Sequence, residues 1–437
     1  MRRRKRYVPE NPLVMRAKAS VRAKVAAHPR AYWILTPLRR SAMRLRSKIT
    51  LWLSGTPRDR FLDVERVLWL PPSQIEYQTP LWGSTLRNRG CGWVVAGDWD
   101  NPKSKVVNNA RYKAVHDVVV DGKSWHETEE YADAVAAIDR GETRWHCRTR
   151  KELDERYRLL DRIVESMRRD GYKTQRELRR IRSPEAALGR DDEIAVTIGR
   201  HGEVYFWDGL HRLAMAQLLG VPRIPVQVVA RHAEWAAFRK ELEQYATSNE
   251  GMVPQPLLHA DLDNIPFRAA CSARYRTLLA SLPQDTRSVI DITPGWGYFC
   301  QRLSGQGFAC CAVVHDAGSG RFLDGLRRAS SADFAVTTPE ALAQVANHAA
   351  EFDVGLMLYG GLAPIQTPRA ETLATLLALV DVRDLFVEPD AFVHPGTAEQ
   401  NEAGRGELLG SLRAAGKFTR CDCVTDSHEA GPLFHLA

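Results

Sequence analysis

Residues 191–232 decide the fold of the first half of the chain and read DDEIAVTIGRHGEVYFWDGLHRLAMAQLLGVPRIPVQVVARH. Val196 and Ile198 alternate with polar neighbours, as in a half-buried strand, and His201-Gly202 is a turn signal. Apolar residues then recur at helical spacing between Gly209 and Gly220. A last apolar run follows Gly220. The pattern predicts a strand around 196–198, a turn at 201–202, a second strand at 204–206, a helix that opens at 208–212 and stops at Gly220, and a third strand at 224–228.

A glycine loop joins the second strand to the helix and reads Asp208-Gly209-Leu210-His211-Arg212. The free N–H groups at a helix N-terminus point outward, and the helix dipole favours negative charge there. Arg212 has the wrong sign for that dipole but is a suitable ligand for a phosphate. These residues predict an anion site, or alternatively an ordinary capped helix start.

This loop resembles the G-x-x-R or G-x-H-R loop of the ParB/sulfiredoxin fold, which lies over nucleotide phosphates. The resemblance is good over 191–232 and loose over 62–235. It implies a mixed α+β domain in which Gly209, His211 and Arg212 hold ATP, ADP or CTP, with Mg²⁺ as a companion ion. Asp208 and His211 are then candidate catalytic residues of a kinase-like reaction.

Two departures narrow that resemblance. Sulfiredoxin needs a reactive cysteine in the loop, whereas Leu210 stands here and no cysteine lies between Cys147 and Cys271. A partition protein would continue with a helix-turn-helix, but residues 236–280 show one helix and then a proline-interrupted stretch. Sulfiredoxin chemistry and a partition protein are therefore disfavoured.

Length and composition limit the classes of protein to which the chain can belong. A length of 437 residues exceeds the usual single domain, and no apolar run reaches the roughly 20 residues of a membrane span. The eight cysteines are scattered without a CxxC pair, so no zinc ribbon or thioredoxin-type site is indicated. Scattered cysteines and the lack of a secretory signal predict a cytoplasmic protein.

The positive charge is concentrated in residues 1–60. This arm holds seventeen Lys and Arg against two acidic residues, a net +15, so the rest of the chain carries −7 within the total of +8. Its second half, AYWILTPLRRSAMRLRSKITLWLSG, interleaves apolar and basic residues. Such a helix suits an anionic membrane surface, which predicts peripheral membrane binding through residues 1–53. A nucleic-acid backbone and a solvated helix packed on the body are the alternatives.

The segment before the glycine loop offers further candidates. Asp98 and Asp100 follow the apolar pair Val94-Val95, as acids at a strand end do. Such carboxylates can bind Mg²⁺ or sugar hydroxyls, which makes both candidate catalytic residues, or they can be turn residues. Residues 150–180 carry a helical apolar stripe from Leu153 to Met167, which is typical of a core-facing helix.

Residues 281–437 alternate predicted strands and helices. This order is typical of a doubly wound, Rossmann-like parallel sheet covered by helices on both faces. After a helix near 402–415, the segments KFTRCDCVTD and PLFHLA predict a terminal antiparallel pair.

The loop after the first of these strands reads Asp291-Ile292-Thr293-Pro294-Gly295-Trp296-Gly297. It resembles motif I of class I S-adenosylmethionine-dependent methyltransferases, D-x-G-x-G-x-G, although Thr293 replaces the first glycine. The resemblance implies that Asp291 belongs to the cofactor-binding residues. It also implies that Gly295 and Gly297 pass under the methionine part of the cofactor, where a side chain would occupy ligand space. Asp316, at the end of the second strand, would accept hydrogen bonds from the ribose hydroxyls.

Two further sequence features of this domain disfavour other classes of enzyme. A nicotinamide enzyme would want a third glycine at position 300, where Cys300 stands. No DPPY-like segment appears, which disfavours an amino-methylating DNA enzyme. Tyr359, Glu388 and His394 follow the fourth and fifth strands at the edge that bears the site. Methyl transfer depends chiefly on positioning, so no catalytic base is assigned from the sequence.

The sequence thus predicts an arm over 1–60, a ParB/sulfiredoxin-like domain over 61–250, a linker or cap over 251–280 and a methyltransferase-like domain over 281–437. Together they predict a transferase that acts on a small molecule or glycan. A nucleic-acid-associated nucleotide switch with a basic DNA-binding arm and a degenerate, non-catalytic scaffold are the competing classes.

Overall fold

The structure is a computed structural model, and it divides the chain into two compact units, Met1–Ala236 and Ala237–Ala437. The residues that it describes are 66–81, 92–145, 147–181, 193–267, 271–345, 350–358, 370–389, 398–416, 418–427 and 431–437. The basic arm lies outside these ranges. Within them, no helix is both long enough and apolar enough to cross a bilayer.

The N-terminal unit contains a mixed sheet in the order β1-β6-β4-β5-β2, with β3 also paired to β6. The predicted strand, turn, strand, helix and strand of 191–232 are confirmed. Strands β4 and β5 pair antiparallel across the tight turn, whereas β4 and β6 pair parallel because the helix Leu210–Leu218 crosses between them. The strands are β1 Val67–Leu70, β2 Tyr77–Gln78, β3 Trp93–Val95, β4 Ile194–Ile198, β5 Val204–Asp208 and β6 Ile224–His232.

Helices of the N-terminal unit surround this sheet, and the longest is the one whose stripe the sequence predicts. It begins at the capping box of Thr149 and Glu152, ends before Gly171, and buries its stripe from Leu153 to Met167. The helices are α1 Ala110–Val119, α2 Glu129–Asp139, α3 Arg150–Asp170, α4 Gln175–Arg180 and α5 Leu210–Leu218.

Helix α6 (Ala233–Ser248) contains the division between the two units, and helix α7 (Cys271–Ser281) follows. Helix α7 lies in the segment that the sequence predicts as a linker or cap. Cys271, Tyr275 and Leu278 of this helix are buried in the core of the C-terminal unit, so this part of the segment packs as an element of that unit.

The C-terminal unit contains a seven-stranded sheet in the order β12-β13-β11-β10-β7-β8-β9. Strands β7 to β11 pair in parallel, and β13 pairs antiparallel with both β11 and β12. The doubly wound sheet and its terminal antiparallel pair are therefore confirmed. The strands are β7 Ser288–Asp291, β8 Ala309–Val313, β9 Ala335–Thr337, β10 Ala350–Met357, β11 Val380–Val387, β12 Cys421–Ser427 and β13 Gly431–Leu436.

The two faces of this sheet bury separate apolar clusters. Val289 of β7 packs with Phe299 in one cluster, and its neighbour Ile290 packs with Leu412 in the other. Successive side chains of a strand point to opposite faces, so both faces are covered. The helices that follow α7 are α8 Tyr298–Ser304, α9 Ala317–Ala329, α10 Pro339–Val345, α11 Ala370–Leu377 and α12 Ala398–Gly416.

Candidate functional site

The sheet order of the C-terminal unit positions the glycine loop. From β7 the chain moves to β8 and β9 on one side, and then returns to place β10 on the other side of β7. The point between β7 and β10 is therefore a topological switch point, where open α/β sheets bind ligands beyond the carboxyl ends of their strands. The loop of residues 292–297 begins at that end of β7.

The two glycines of this loop adopt backbone conformations that other residues rarely reach. Gly295 has φ +56° and Gly297 has φ +84°. A Cβ on Gly297 would come within 3.2 Å of Leu323 and 3.5 Å of Phe334, both in the core. The absence of a side chain at Gly297 makes room for the packing of helix α9, because a Cβ there would meet the core. The predicted passage of Gly297 under a cofactor stays a prediction.

Gln255 lies against the other glycine and was not singled out from the sequence. Its Oε1 accepts hydrogen bonds from the backbone N–H groups of Trp296 (2.9 Å) and Tyr298 (3.3 Å). Its Nε2 would lie 2.9 Å from a Cβ on Gly295 and is buried with no hydrogen-bond partner among the described residues. No local motif marks this glutamine, because its contacts depend on a segment about forty residues from the loop.

Asp291 is fully buried beneath the loop. Its Oδ1 accepts a hydrogen bond from Thr293 N (3.1 Å), and the Cys300 thiol lies 3.9 Å from Oδ2. Burial raises the pKa of Asp291 to about 8, and these two hydrogen bonds only partly offset that effect. The carboxyl group is therefore mostly protonated at neutral pH and supports the turn from below. The Thr293 hydroxyl is a second buried polar group without a hydrogen-bond partner in the described chain.

Asp316 lies on the surface at the N-terminus of helix α9, three residues beyond the end of β8. Its Oδ1 accepts a hydrogen bond from Ser319 N (2.9 Å), which makes it the N-cap of the helix. Partial burial raises the pKa of Asp316, but hydrogen bonds from Ser319 and Gly318 lower it below the ordinary value. Asp316 is thus an exposed, ionised carboxylate at the carboxyl edge of the strand next to β7.

Glu388, which follows β11, is buried and accepts a hydrogen bond from Arg274 Nη2 at 3.3 Å. Tyr359 and His394, the other two residues noted at this edge, lie outside the described residues.

In the N-terminal unit, a cavity of about 270 Å³ opens beside the loop that begins helix α5, and Asp208 and Leu210 line it. His211 Nε2 lies 3.1 Å from Glu130 Oε2, whose side chain is buried and also lines the cavity. Gly209 is the N-cap of α5 with φ +99°. Its N–H donates a hydrogen bond to Asp208 Oδ1 at 2.7 Å.

Arg212 does not line this cavity. Its Nη1 donates a hydrogen bond to the Tyr172 hydroxyl at 3.2 Å and lies 4.0 Å from Glu193 Oε2. The structure therefore brings Asp208, Leu210 and the His211–Glu130 pair together and directs the arginine of the motif to a different set of partners. The role of Arg212 in phosphate binding stays a prediction.

Asp98 and Asp100 both pair with Arg200, the residue at the turn between β4 and β5. Arg200 Nη2 donates to Asp98 at 2.9 Å and to Asp100 at 2.8 Å, and Arg200 N donates to Asp100 at 2.7 Å. Neither aspartate lines the cavity at Asp208. These contacts show that the two aspartates form ion pairs that join two loops. A catalytic role for them stays a prediction.

One group of side chains has the spacing of a metal site. His116, Asp117 and Asp121 place one potential ligand atom each within 4.8 Å of the others. Lys123 Nζ lies 3.1 Å from Asp117 and 3.7 Å from Asp121, so an ammonium group already supplies the positive charge. The contacts with Lys123 are enough to explain why these acidic side chains lie close together, so no metal ion is needed.

No protein-family model matches the chain, and a comparison with curated proteins finds no match. Solved structures do resemble it over less than half its length. The N-terminal domain of EvdMO1 with SAH bound is 13% identical over 45% of this chain and 94% of that chain, with a TM-score of 0.30. The O-methyltransferase from Bacillus cereus in complex with SAH is 12% identical over 46% and 89%, with a TM-score of 0.31.

The bifunctional kinase-methyltransferase WbdD is 14% identical over 44% of this chain and 45% of that chain, with a TM-score of 0.31. At these identities and TM-scores, what the three proteins bind or modify is a property of those proteins alone. None of these three structures is described as a ParB or sulfiredoxin protein, and the ParB/sulfiredoxin resemblance stays a prediction.

Proposed function

We propose that the C-terminal unit binds S-adenosylmethionine and transfers its methyl group to a small molecule or glycan. The observation that carries this proposal is the position of the glycine loop, which begins at the carboxyl end of β7, at the switch point of a doubly wound sheet. Asp316 follows β8, the strand next to β7, on the same edge.

The polar groups at the loop fit the chemistry of this cofactor. The buried Gln255 Nε2 is a hydrogen-bond donor and suits the carboxylate of the methionine part, while the Thr293 hydroxyl can donate or accept. The ionised Asp316 can only accept hydrogen bonds, which suits ribose hydroxyls. When bound, S-adenosylmethionine supplies an electrophilic methyl group.

The contribution of the protein to such a transfer is chiefly orientation. A methyl group moves in line from donor to acceptor, so holding both in a fixed geometry removes much of the entropic barrier. The protonated Asp291 and the Gln255 bridge fix the loop from two directions, which gives the cofactor a rigid support.

Replacing Asp316 with serine tests this proposal. Serine is also a good N-cap, so Asp316→Ser keeps the start of helix α9 but removes the carboxylate. We expect S-adenosylmethionine to bind about tenfold or more weakly, because a charge-assisted hydrogen bond contributes about 1.5–3 kcal/mol. Isothermal titration calorimetry with S-adenosylmethionine and S-adenosylhomocysteine measures this.

The matched control is Asp285→Ser. Asp285 is an exposed carboxylate before β7, at the opposite edge of the sheet. Its replacement by serine should leave the binding of S-adenosylmethionine unchanged. If the folded wild-type protein binds neither ligand at millimolar concentration, the methyltransferase proposal is wrong for this chain.

A second candidate function belongs to the N-terminal unit, which we infer to bind a nucleotide through its phosphate groups. The cavity beside Asp208 and Leu210 favours it, because the N-terminus of the nine-residue helix α5 opens there. A nucleotide bound at this place would serve either a kinase-like step on the same substrate or a nucleotide-controlled switch. Titration of the full chain with ATP, ADP and CTP tests the binding, and a lack of heat with all three contradicts it.

A further inference from the structure

Arginine side chains surround Trp145 at the wall of the cavity beside Asp208. The guanidinium carbons of Arg111, Arg144 and Arg156 lie 5.6, 5.4 and 5.8 Å from the centroid of the indole ring, within the range of cation–π contacts. Arg111, Arg144 and Trp145 themselves line the cavity. Three positive charges on one ring are a costly arrangement unless negative charge is close by.

The described carboxylates balance this charge only in part. Glu130 lies 3.6 Å from Arg111 Nε, and the same carboxylate also contacts His211. Neither Arg144 nor Arg156 forms an ion pair within the part of the chain that the structure describes, and the Nε of Arg156 is buried there without a hydrogen-bond partner. Directly around the Trp145 ring, the three guanidinium groups therefore outnumber the one carboxylate that pairs with them.

The backbone holds the indole ring in this position by a tight turn. Arg144 and Cys147 exchange two backbone hydrogen bonds of 3.0 and 2.8 Å, which leaves Trp145 at the first central position of the turn with φ +46°. Glycine, asparagine and aspartate are the usual residues at such a position, and a bulky side chain there is strained.

The lining of the same cavity also contains acceptor groups. Asp208 and Asp133 line it, and carboxylates are hydrogen-bond acceptors that suit the hydroxyl groups of a sugar. The cavity thus combines an aromatic ring for stacking, guanidinium groups for a phosphate and carboxylates for hydroxyls. A volume of about 270 Å³ lies just below the range of roughly 300–1,000 Å³ that is usual for small-molecule sites.

We propose that this cavity binds a nucleoside phosphate whose base stacks on Trp145 and whose phosphate pairs with Arg144 and Arg111. The proposal rests on the nucleotide binding inferred above for the N-terminal unit and assigns its contacts. The arginine of the glycine-loop motif, Arg212, has no direct contact in this arrangement, since it contacts Tyr172 and does not line the cavity.

The test is calorimetric titration of the full chain with ATP, ADP, CTP, glucose 1-phosphate and inorganic phosphate. Arg144→Ala should weaken the binding of every phosphate probe by about tenfold or more, because it removes a charge-assisted contact. Trp145→Ala should weaken only the nucleotides, because sugar phosphate and inorganic phosphate have no base to stack. The matched control, Arg140→Ala, removes a solvent-exposed arginine paired with Glu142 and should change nothing.

The results distinguish nucleotide binding by the N-terminal unit from the assignment of that binding to this cavity. If the wild type binds a nucleotide, and Arg144→Ala and Trp145→Ala bind it equally well, the assignment to this cavity is wrong while nucleotide binding stands. If glucose 1-phosphate binds as tightly as the nucleotides and is insensitive to Trp145→Ala, the ligand is a sugar phosphate and the nucleoside assignment is wrong. If the wild type binds none of the probes, nucleotide binding itself is wrong. Circular dichroism of each variant confirms that it is folded.

Discussion

At the scale of single residues, Asp291 shows how a buried carboxyl group can support the loop of a candidate site from below. An acid at the end of the first strand is part of the resemblance to motif I, and the sequence places Asp291 among the cofactor-binding residues. In the structure its carboxyl group is fully buried and accepts a hydrogen bond from the next turn of the loop. Its contribution is the shape of the glycine loop.

The protonation of Asp291 predicts an unusual dependence of stability on pH. Burial raises its folded-state pKa to about 8, whereas the unfolded chain has an ordinary aspartate pKa near 4. Between these values the unfolded chain releases a proton that the folded protein keeps. The stability that this residue contributes is therefore complete below about pH 4 and is lost as the pH rises to about 8.

Asp291→Asn should remove this dependence, because the amide keeps the acceptor for Thr293 N and has no proton to release in this range. Urea unfolding of the wild type and the variant at pH 5 and pH 8 measures the effect. We expect the variant to be the more stable protein at pH 8, and the difference to shrink at pH 5. An equal difference at both pH values would show that Asp291 is ionised in the folded state.

At the scale of elements, an ion pair joins the end of β3 to the turn between β4 and β5. Burial raises the pKa of Asp100, but the hydrogen bonds from the side chain and backbone of Arg200 outweigh it and lower the pKa to about 2. Asp98 contacts the same guanidinium, but its side chain is 94% exposed, against 4% for Asp100. The two aspartates thus form a matched pair for measuring what the contact contributes.

We expect Asp100→Ala to lower the free energy of unfolding by about 1.5–3 kcal/mol, because it breaks a largely buried charge-assisted contact. Asp98→Ala should change it by less than about 1 kcal/mol, as is usual for exposed ion pairs. The lowered pKa of Asp100 contributes stability that is present above about pH 4 and lost as the pH falls to about 2. Urea unfolding at pH 7 and pH 3 checks both statements, and equal effects of the two substitutions would contradict them.

The elements themselves were predictable where one local pattern determines them. The strands and helix of 191–232, the stripe of α3 and the alternation of the C-terminal unit were all read from apolar periodicity and turn residues. Helix α7 was missed because its sequence, CSARYRTLLAS, has a weak apolar stripe and buries a charged Arg274. The sites were less predictable, because the partners of Arg212, Asp100 and Gln255 come from distant segments.

At the scale of the whole molecule, the chain separates its charge into two parts. Residues 1–60, outside the described residues, carry a net +15, and the remainder carries −7. Each basic residue near an anionic bilayer contributes about 1 kcal/mol of attraction, and the effect falls off within a Debye length of about 8–10 Å. An arm with this charge and with interleaved tryptophan and leucine residues is therefore a candidate membrane contact.

We expect the full chain to sediment with phosphatidylserine vesicles at low salt and to be released as the salt concentration rises, because salt screens the attraction. A chain that begins at residue 61 should remain in the supernatant, since it carries a net negative charge. Phosphatidylcholine vesicles are the control, because they have no net charge. Equal sedimentation of both chains would exclude the arm as the membrane contact. Salt-sensitive binding of the full chain to duplex DNA, without binding to the vesicles, would assign the arm to nucleic acid instead.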